Sequence, residues 1–258
     1  MAQTSAGPQY EPLGIGEIIS ETFARLIQNF LNVLILGGIP ALVSLVLTWL
    51  LVGAAFVTGE VSEDPAAFQA GVGFSVFLVS VISIVLTAVA MALVVQLAYD
   101  TKLGRQAQPA GYIQPALAST LYIMVMSVLI GLMAIIPLML LIVPGLWVYA
   151  VFAVTIPAAV IERTGFGALG RSIALTKEYR WPIVLLIFIV GLIAAVISFV
   201  AGFLVAFVPG GLITNVILSS VINGILYGIF GFLLVLIYVR LREIKEGAGS
   251  GDMVSVFE

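Results

Sequence analysis

From Ala116 to Ile161 the chain runs 46 residues without an acidic or basic side chain. As one straight helix this stretch would be roughly 69 Å long at 1.5 Å per residue. The hydrocarbon core of a bilayer is only about 30 Å thick and needs about 20 apolar residues to cross. The stretch is therefore expected to be a hairpin of two spans, turning at Pro144-Gly145, where proline ends one helix and glycine relaxes the backbone. A second charge-free run, Pro182 to Val239, divides in the same way at Pro209-Gly210-Gly211. Two further apolar runs precede them.

The reading is an all-α polytopic membrane protein with six spans, at about 31–58, 71–99, 117–142, 145–161, 182–207 and 212–239. Composition agrees: 62% of residues are hydrophobic and 9% charged, whereas soluble domains average about 45–50% and about 25%. So few charges cannot cover a water-exposed globule. Residues 1–12 read as a disordered leader without the basic and apolar regions of a cleavable signal peptide. Residues 13–246 read as one membrane domain, and 247–258 as a flexible tail.

Every Lys and Arg falls before span one, between spans two and three, between four and five, or after six. The segment around Glu60, Glu63 and Asp64, between spans one and two, is acidic. By the positive-inside rule both termini and the basic loops are expected in the cytoplasm. An odd number of spans would put part of the basic set outside.

Before each odd-numbered span lies a semi-polar segment. In Leu13–Phe30 the apolar residues Ile15, Ile18, Ile19, Phe23, Leu26, Ile27 and Phe30 recur at helical spacing, with Glu17, Glu21, Arg25 and Gln28 opposite them. This is the pattern of a helix lying in the headgroup plane. Phe166–Trp181 has a similar character, while Ala110–Thr120 is weaker and is expected to be broken by Pro115. The three segments suggest three parallel helix-plus-hairpin repeats.

The chemistry-bearing inventory is short. The chain has no Cys and no His, which removes thiolate nucleophiles, thiolate metal sites and the usual general base. No Asp, Glu, Lys or Arg lies within the six spans, where such a residue would mark a proton or ion path. A net charge of −3 gives nucleic acid no footing, and nothing implies a cofactor or metal. In span six, Asn215, Ser219, Asn223 and Tyr227 form a polar stripe. It reads either as the wall of a polar cavity or as interhelical hydrogen bonding. Ser220, Gly224 and Gly228 in span six, and Ala194, Ser198 and Gly202 in span five, form small-residue ridges. These read as spans five and six packing together, or as a face for a partner. Gly37, Gly38 and Pro40 are expected to bend span one, and Pro137 and Pro157 the central hairpin.

The loop after span four carries Arg163, Arg171, Lys177 and Arg180. These anchor the loop inside, and each can add about 1 kcal/mol of attraction to anionic headgroups. The same region, with Pro144-Gly145, Pro157, Glu162, Gly165, Ala168-Leu169, Arg171-Ser172 and Leu175-Thr176-Lys177, resembles bacterial six-span proteins of the glycerophosphoryl diester phosphodiesterase membrane-domain and YciC-like group. Leu13-Gly14-Ile15-Gly16-Glu17-Ile18 and Tyr238-Val239-Arg240-Leu241-Arg242 resemble the beginning and end of that family, and Leu103-Gly104-Arg105 its loop after span two. Glu178 departs from it, standing where the family usually has glycine after the basic residue, and Arg240 stands where an acidic residue is common. The resemblance implies a membrane scaffold and no catalytic residue, because hydrolysis in the fused enzymes belongs to a separate soluble barrel. The expected function is a non-enzymatic, lipid-interacting scaffold or accessory subunit, as a homo-oligomer or within a larger membrane complex. The alternative is a carrier or flippase for a small apolar or lipidic solute, which requires a cavity near Asn215 and Asn223.

Overall fold

The chain folds, in a computed structural model, entirely into helices and turns over the described residues, 12–53, 72–208 and 211–247. The leader up to residue 11, the acidic segment, the Pro209-Gly210 turn and the tail beyond Gly247 lie outside them. Six helices are long and apolar enough to cross a membrane: Phe30–Val52, Val76–Lys102, Pro109–Leu140, Ile142–Ile161, Arg180–Val205 and Gly211–Glu246.

We label the elements in chain order. Helix α1 covers Ile15–Gln28 and joins span one, which is built from α2 (Phe30–Val33), a π-helical turn at Leu34–Gly38 and α3 (Ile39–Val52). Span two is α4 (Val72–Lys102), and span three is α5 (Ile113–Leu140), entered through a 3₁₀ turn at Pro109–Tyr112. Span four is split into α6 (Ile142–Val151) and α7 (Thr155–Ile161). A short helix α8 (Ala168–Thr176) leads to span five, α9 (Arg180–Phe207), and span six, α10 (Gly211–Glu246).

Three prolines lie in the first turn of a helix, Pro157 just after the interruption of span four. Pro115, Pro144 and Pro157 each occupy the third position of α5, α6 and α7. An N–H in the first turn has no intrahelical partner, so its absence there costs nothing. The central hairpin therefore turns at Leu141, whose extended backbone (φ −158°, ψ 146°) separates α5 from α6, three residues before Pro144. Gly145 serves packing and not the turn: a Cβ there would lie 2.2 Å from the Leu138 side chain of span three. Pro137 remains inside α5, whereas Pro40 is the second residue of α3, separated from the π-helical turn only by Ile39. The proline ring would crowd the Leu36 carbonyl in a regular helix, and the wider turn gives it room.

The three expected repeats differ in their opening segments. The first is the 14-residue helix α1, the third only the nine-residue α8, and the middle one has no separate helix because Pro115 sits inside the start of α5. Helix α1 runs along α10, burying Ile18, Thr22 and Leu26. Arg240 donates to the Pro12 carbonyl at one end, and Leu26 faces Gly228 at the other.

Burial is concentrated toward the end that carries the cations. Ile183 and Leu186 in α9 are fully buried, whereas Phe199 and Phe207 further along are 76% and 69% exposed. The same gradient runs along α4 from exposed Phe77 to buried Leu97, and along α10 toward Tyr238. Helices gain no hydrophobic drive for association inside lipid, so this half is held by close packing and hydrogen bonds.

Candidate functional site

Ion pairs gather the basic segments at one end of the bundle. Glu21 of α1 pairs with Arg25 at 2.6 Å and with Lys102 at the end of α4 at 2.8 Å. Burial raises the Glu21 pKa, but the hydrogen bonds and charges of Lys102 and Arg25 outweigh it and hold the carboxyl below its ordinary 4.5. A second network centres on Glu162 at the end of span four. Arg171 reaches its carboxylate from α8 at 2.9 Å and also pairs with Glu246, while Tyr238 donates to it at 2.6 Å. Arg242 completes the group through Glu246 at 2.8 Å. Lys245 donates to the Ala174 and Lys177 carbonyls at the end of α8, supplying a cation where the helix dipole is negative.

The four headgroup candidates therefore stand in different surroundings. Arg171 is committed to two carboxylates, and Arg180 lies over the Trp147 ring at 5.0 Å. Arg163 and Lys177 are exposed.

The small-residue ridge of span six packs against span one, not against span five. A Cβ on Gly224 would stand 2.9 Å from the Gly38 nitrogen, and one on Gly228 would lie 2.5 Å from Val33. Ser220 is buried in the same row. The span-five ridge has a different fate. Ala194 is buried and Ser198 donates to its carbonyl, but Gly202 is exposed with no atom within 4 Å of where a Cβ would be.

The break in span four is a built feature. Between α6 and α7 the Val151 carbonyl loses its helical partner and accepts hydrogen bonds from Ser172 (2.9 Å) and Thr176 (3.0 Å) of α8. Irregular backbone survives at membrane depth only when buried in protein, and Ala153, Val154 and Thr155 are all buried. Pro157 explains the location, since its ring excludes the Ala153 carbonyl from a continuing helix.

A cavity of about 470 Å³ lies beside this break. Span six contributes Asn223, Tyr227 and Phe230; span two, Thr87 and Met91; and span three, Met126, Ser127 and Ile130. The broken span adds Tyr149, Phe152, Thr155 and Ile156, and span five Ile187. Asn223 is the thirteenth residue of α10, roughly 18 Å from its first residue, which places the cavity near the middle of the bundle. The Tyr227 hydroxyl lies 3.2 Å from that of Thr87, and Asn223 commits its amide nitrogen to the Ser219 carbonyl. The Thr155 hydroxyl is fully buried without a hydrogen-bond partner. No lining residue carries a charge.

Of the polar stripe, Asn223 and Tyr227 line the cavity, while Asn215 and Ser219 do not. A four-residue step turns a helix by 400°, so the stripe drifts about 40° per step and leaves the cavity toward Asn215. The buried Asn215 side-chain oxygen has no partner among the described residues. Thr87, Ser127 and Thr155 carry no sequence signal of their own, since single hydroxyls are common in membrane helices. Among the described residues no cluster of acidic side chains is arranged to hold a metal. Neither a protein-family model, nor a curated protein, nor a solved structure matches this chain.

Proposed function

We propose that this chain is a non-enzymatic, lipid-interacting protein of a bacterial inner membrane, with cytoplasmic termini, that works as a scaffold or accessory subunit through association with a second membrane helix. The observation that carries the reading is the uncovered end of the span-five ridge. Small residues in lipid let helix backbones approach closely. The chain uses that device itself at Gly224, whereas Gly202 has open space beside it and sits between exposed Phe199 and Phe203. The resemblance to membrane-domain scaffolds agrees with this role.

Mass spectrometry of the protein released from gentle detergent tests it. The expected result is a stoichiometric second copy or partner chain that Gly202→Ile removes, while the protein remains folded. Recovery of lipid alone would overturn association. In the same spectra, Arg163→Ala with Lys177→Ala is expected to lower retention of anionic lipid. Full retention would remove those two residues as headgroup contacts.

A second reading, a carrier for a small apolar or lipidic solute, is favoured by the cavity beside Asn223, which such a role requires.

A further inference from the structure

We propose that the cavity beside the break in span four binds a neutral, largely apolar molecule that bears one hydrogen-bonding oxygen and enters sideways from the bilayer. The site stands whether or not the protein moves what it binds. It is therefore separate from the association through span five.

Three observations converge on this ligand class. First, the cavity is not sealed from the lipid. A smaller cleft of about 310 Å³ between spans two and three shares Thr87, Met91, Ser127 and Ile156 with it. That cleft is also lined by Ile84 and Val128, which are 40% and 43% exposed on the lipid-facing surface. Cleft and cavity thus adjoin within the depth of the spans, and entry from this side would cross no headgroup layer.

Second, the walls exclude ions. A charge at this depth without a counter-charge is expensive, and none lines the cavity. The volume falls within the range of about 300–1,000 Å³ typical of small-molecule sites.

Third, the cavity is not purely a space for hydrocarbon. It carries Asn223, the Tyr227–Thr87 pair and Thr155 together on adjoining elements. The Thr155 hydroxyl is fully buried and unpartnered, which leaves a polar group unsatisfied in a low-dielectric setting. That hydroxyl is itself closed off, so a ligand hydroxyl or carbonyl oxygen would meet Asn223 and the Tyr227–Thr87 hydroxyls, on side chains that are not fully buried. Ligand sites of this kind typically combine apolar walls with a few placed polar groups, and broken helices frame such sites in transporters. A lipid acyl tail would use the walls and leave the polar groups unused, so the observations favour a molecule of the long-chain alcohol or ketone class.

Photolabelling of the full chain in nanodiscs tests the proposal, with two probes of equal length: a diazirine-bearing hexadecanol and the corresponding diazirine-bearing hexadecane. Labelled residues are then located by peptide mass spectrometry. The expected result is that the alcohol labels Met91, Met126 or Ile130 severalfold more than the alkane does. Asn223→Leu and Tyr227→Phe, which keep the heavy-atom shape of the side chains, are expected to lower the alcohol signal severalfold, to the level of the alkane, at sub-saturating probe. Labelling by the alkane should be unchanged in both variants, which also shows that the cavity persists. Equal labelling by the two probes would overturn the polar-headed ligand and leave a site for hydrocarbon tails. Labelling confined to Ile84 and Val128 would overturn the cavity site altogether.

Discussion

Adding one methyl group at Gly224 probes the contact that joins spans one and six. A Cβ there would stand 2.9 Å from the Gly38 nitrogen and 3.0 Å from the Gly38 Cα. Both atoms are backbone, so no side chain can rotate away. Restoring a separation of 3.4 Å from 2.9 Å requires the two helices to part by about 0.5 Å at this point. The displacement also disturbs Gly37, where a Cβ would already lie 3.1 Å from the Gly224 carbonyl. Overpacking of this kind costs about 1–3 kcal/mol. Against it stands the helix propensity of alanine over glycine, up to about 1 kcal/mol. Gly202→Ala carries the same propensity change with no atom within 4 Å of its Cβ, so the difference between the two variants isolates the clash. Unfolding by SDS in mixed micelles, followed by fluorescence of Trp49, Trp147 and Trp181, measures both. The expected order places Gly224→Ala about 1–3 kcal/mol below Gly202→Ala. Coincident unfolding midpoints would refute the close packing of span six on span one.

Three further outcomes follow from particular contacts. Replacing both Ser172 and Thr176 by alanine leaves the buried Val151 carbonyl without its acceptor bonds, and about 1–3 kcal/mol of stability should be lost in the same SDS assay. Loss no larger than that of an exposed Ser→Ala control would show that the break in span four does not depend on α8. Glu178 has φ 76°, a left-handed conformation that costs a side-chain-bearing residue roughly 1–2 kcal/mol, so Glu178→Gly should stabilise by about 1 kcal/mol. Destabilisation would mean that its carboxylate, 3.9 Å from Lys245, outweighs the backbone term. Because Glu21 is held below 4.5 when folded, its contribution is complete above 4.5 and is lost as pH falls through the lower folded value. Hydrogen-exchange protection of α1 should therefore fall only once the medium is more acidic than 4.5, and protection lost already at higher pH would contradict the Lys102–Glu21–Arg25 clamp.

What could be read from the sequence, and what could not, divides along a physical line. Charge is a property of single residues, so the charge-free runs pointed to the six helices that are long and apolar enough to cross a membrane. The helical period of α1 was legible for the same reason, since it concerns neighbours one turn apart. Proline carries two opposite meanings. It ends the helix before it and is welcome in the first turn of the one after it, and at Pro144 the second meaning prevails, which moves the hairpin turn to Leu141. A small-residue ridge announces that another backbone can come close without saying which. The Ser220–Gly224–Gly228 row found Gly37-Gly38, themselves a pair of glycines on a π-helical turn, and left the span-five row partly uncovered. The cavity was half legible, through Asn223 and Tyr227, because its other polar groups are isolated hydroxyls that matter only once five spans bring them together.

The cations make the same point from the other direction. Read along the chain, Arg242 and Lys245 count only toward orientation, and Arg171 toward orientation and attraction to headgroups. In the fold they are also connectors: Arg171 holds Glu162 and Glu246, Arg242 pairs with Glu246, and Lys245 caps the carbonyls of α8. Helix α8 is in turn what satisfies the Val151 carbonyl and so sustains the break beside the cavity. A charge placed at the bundle end thus reaches the cavity through α8 rather than through any polar residue of the spans. Weakening the Glu162–Arg171 pair should therefore act on the cavity as a loosening of α8 from Val151, while leaving the cavity's own lining chemistry intact.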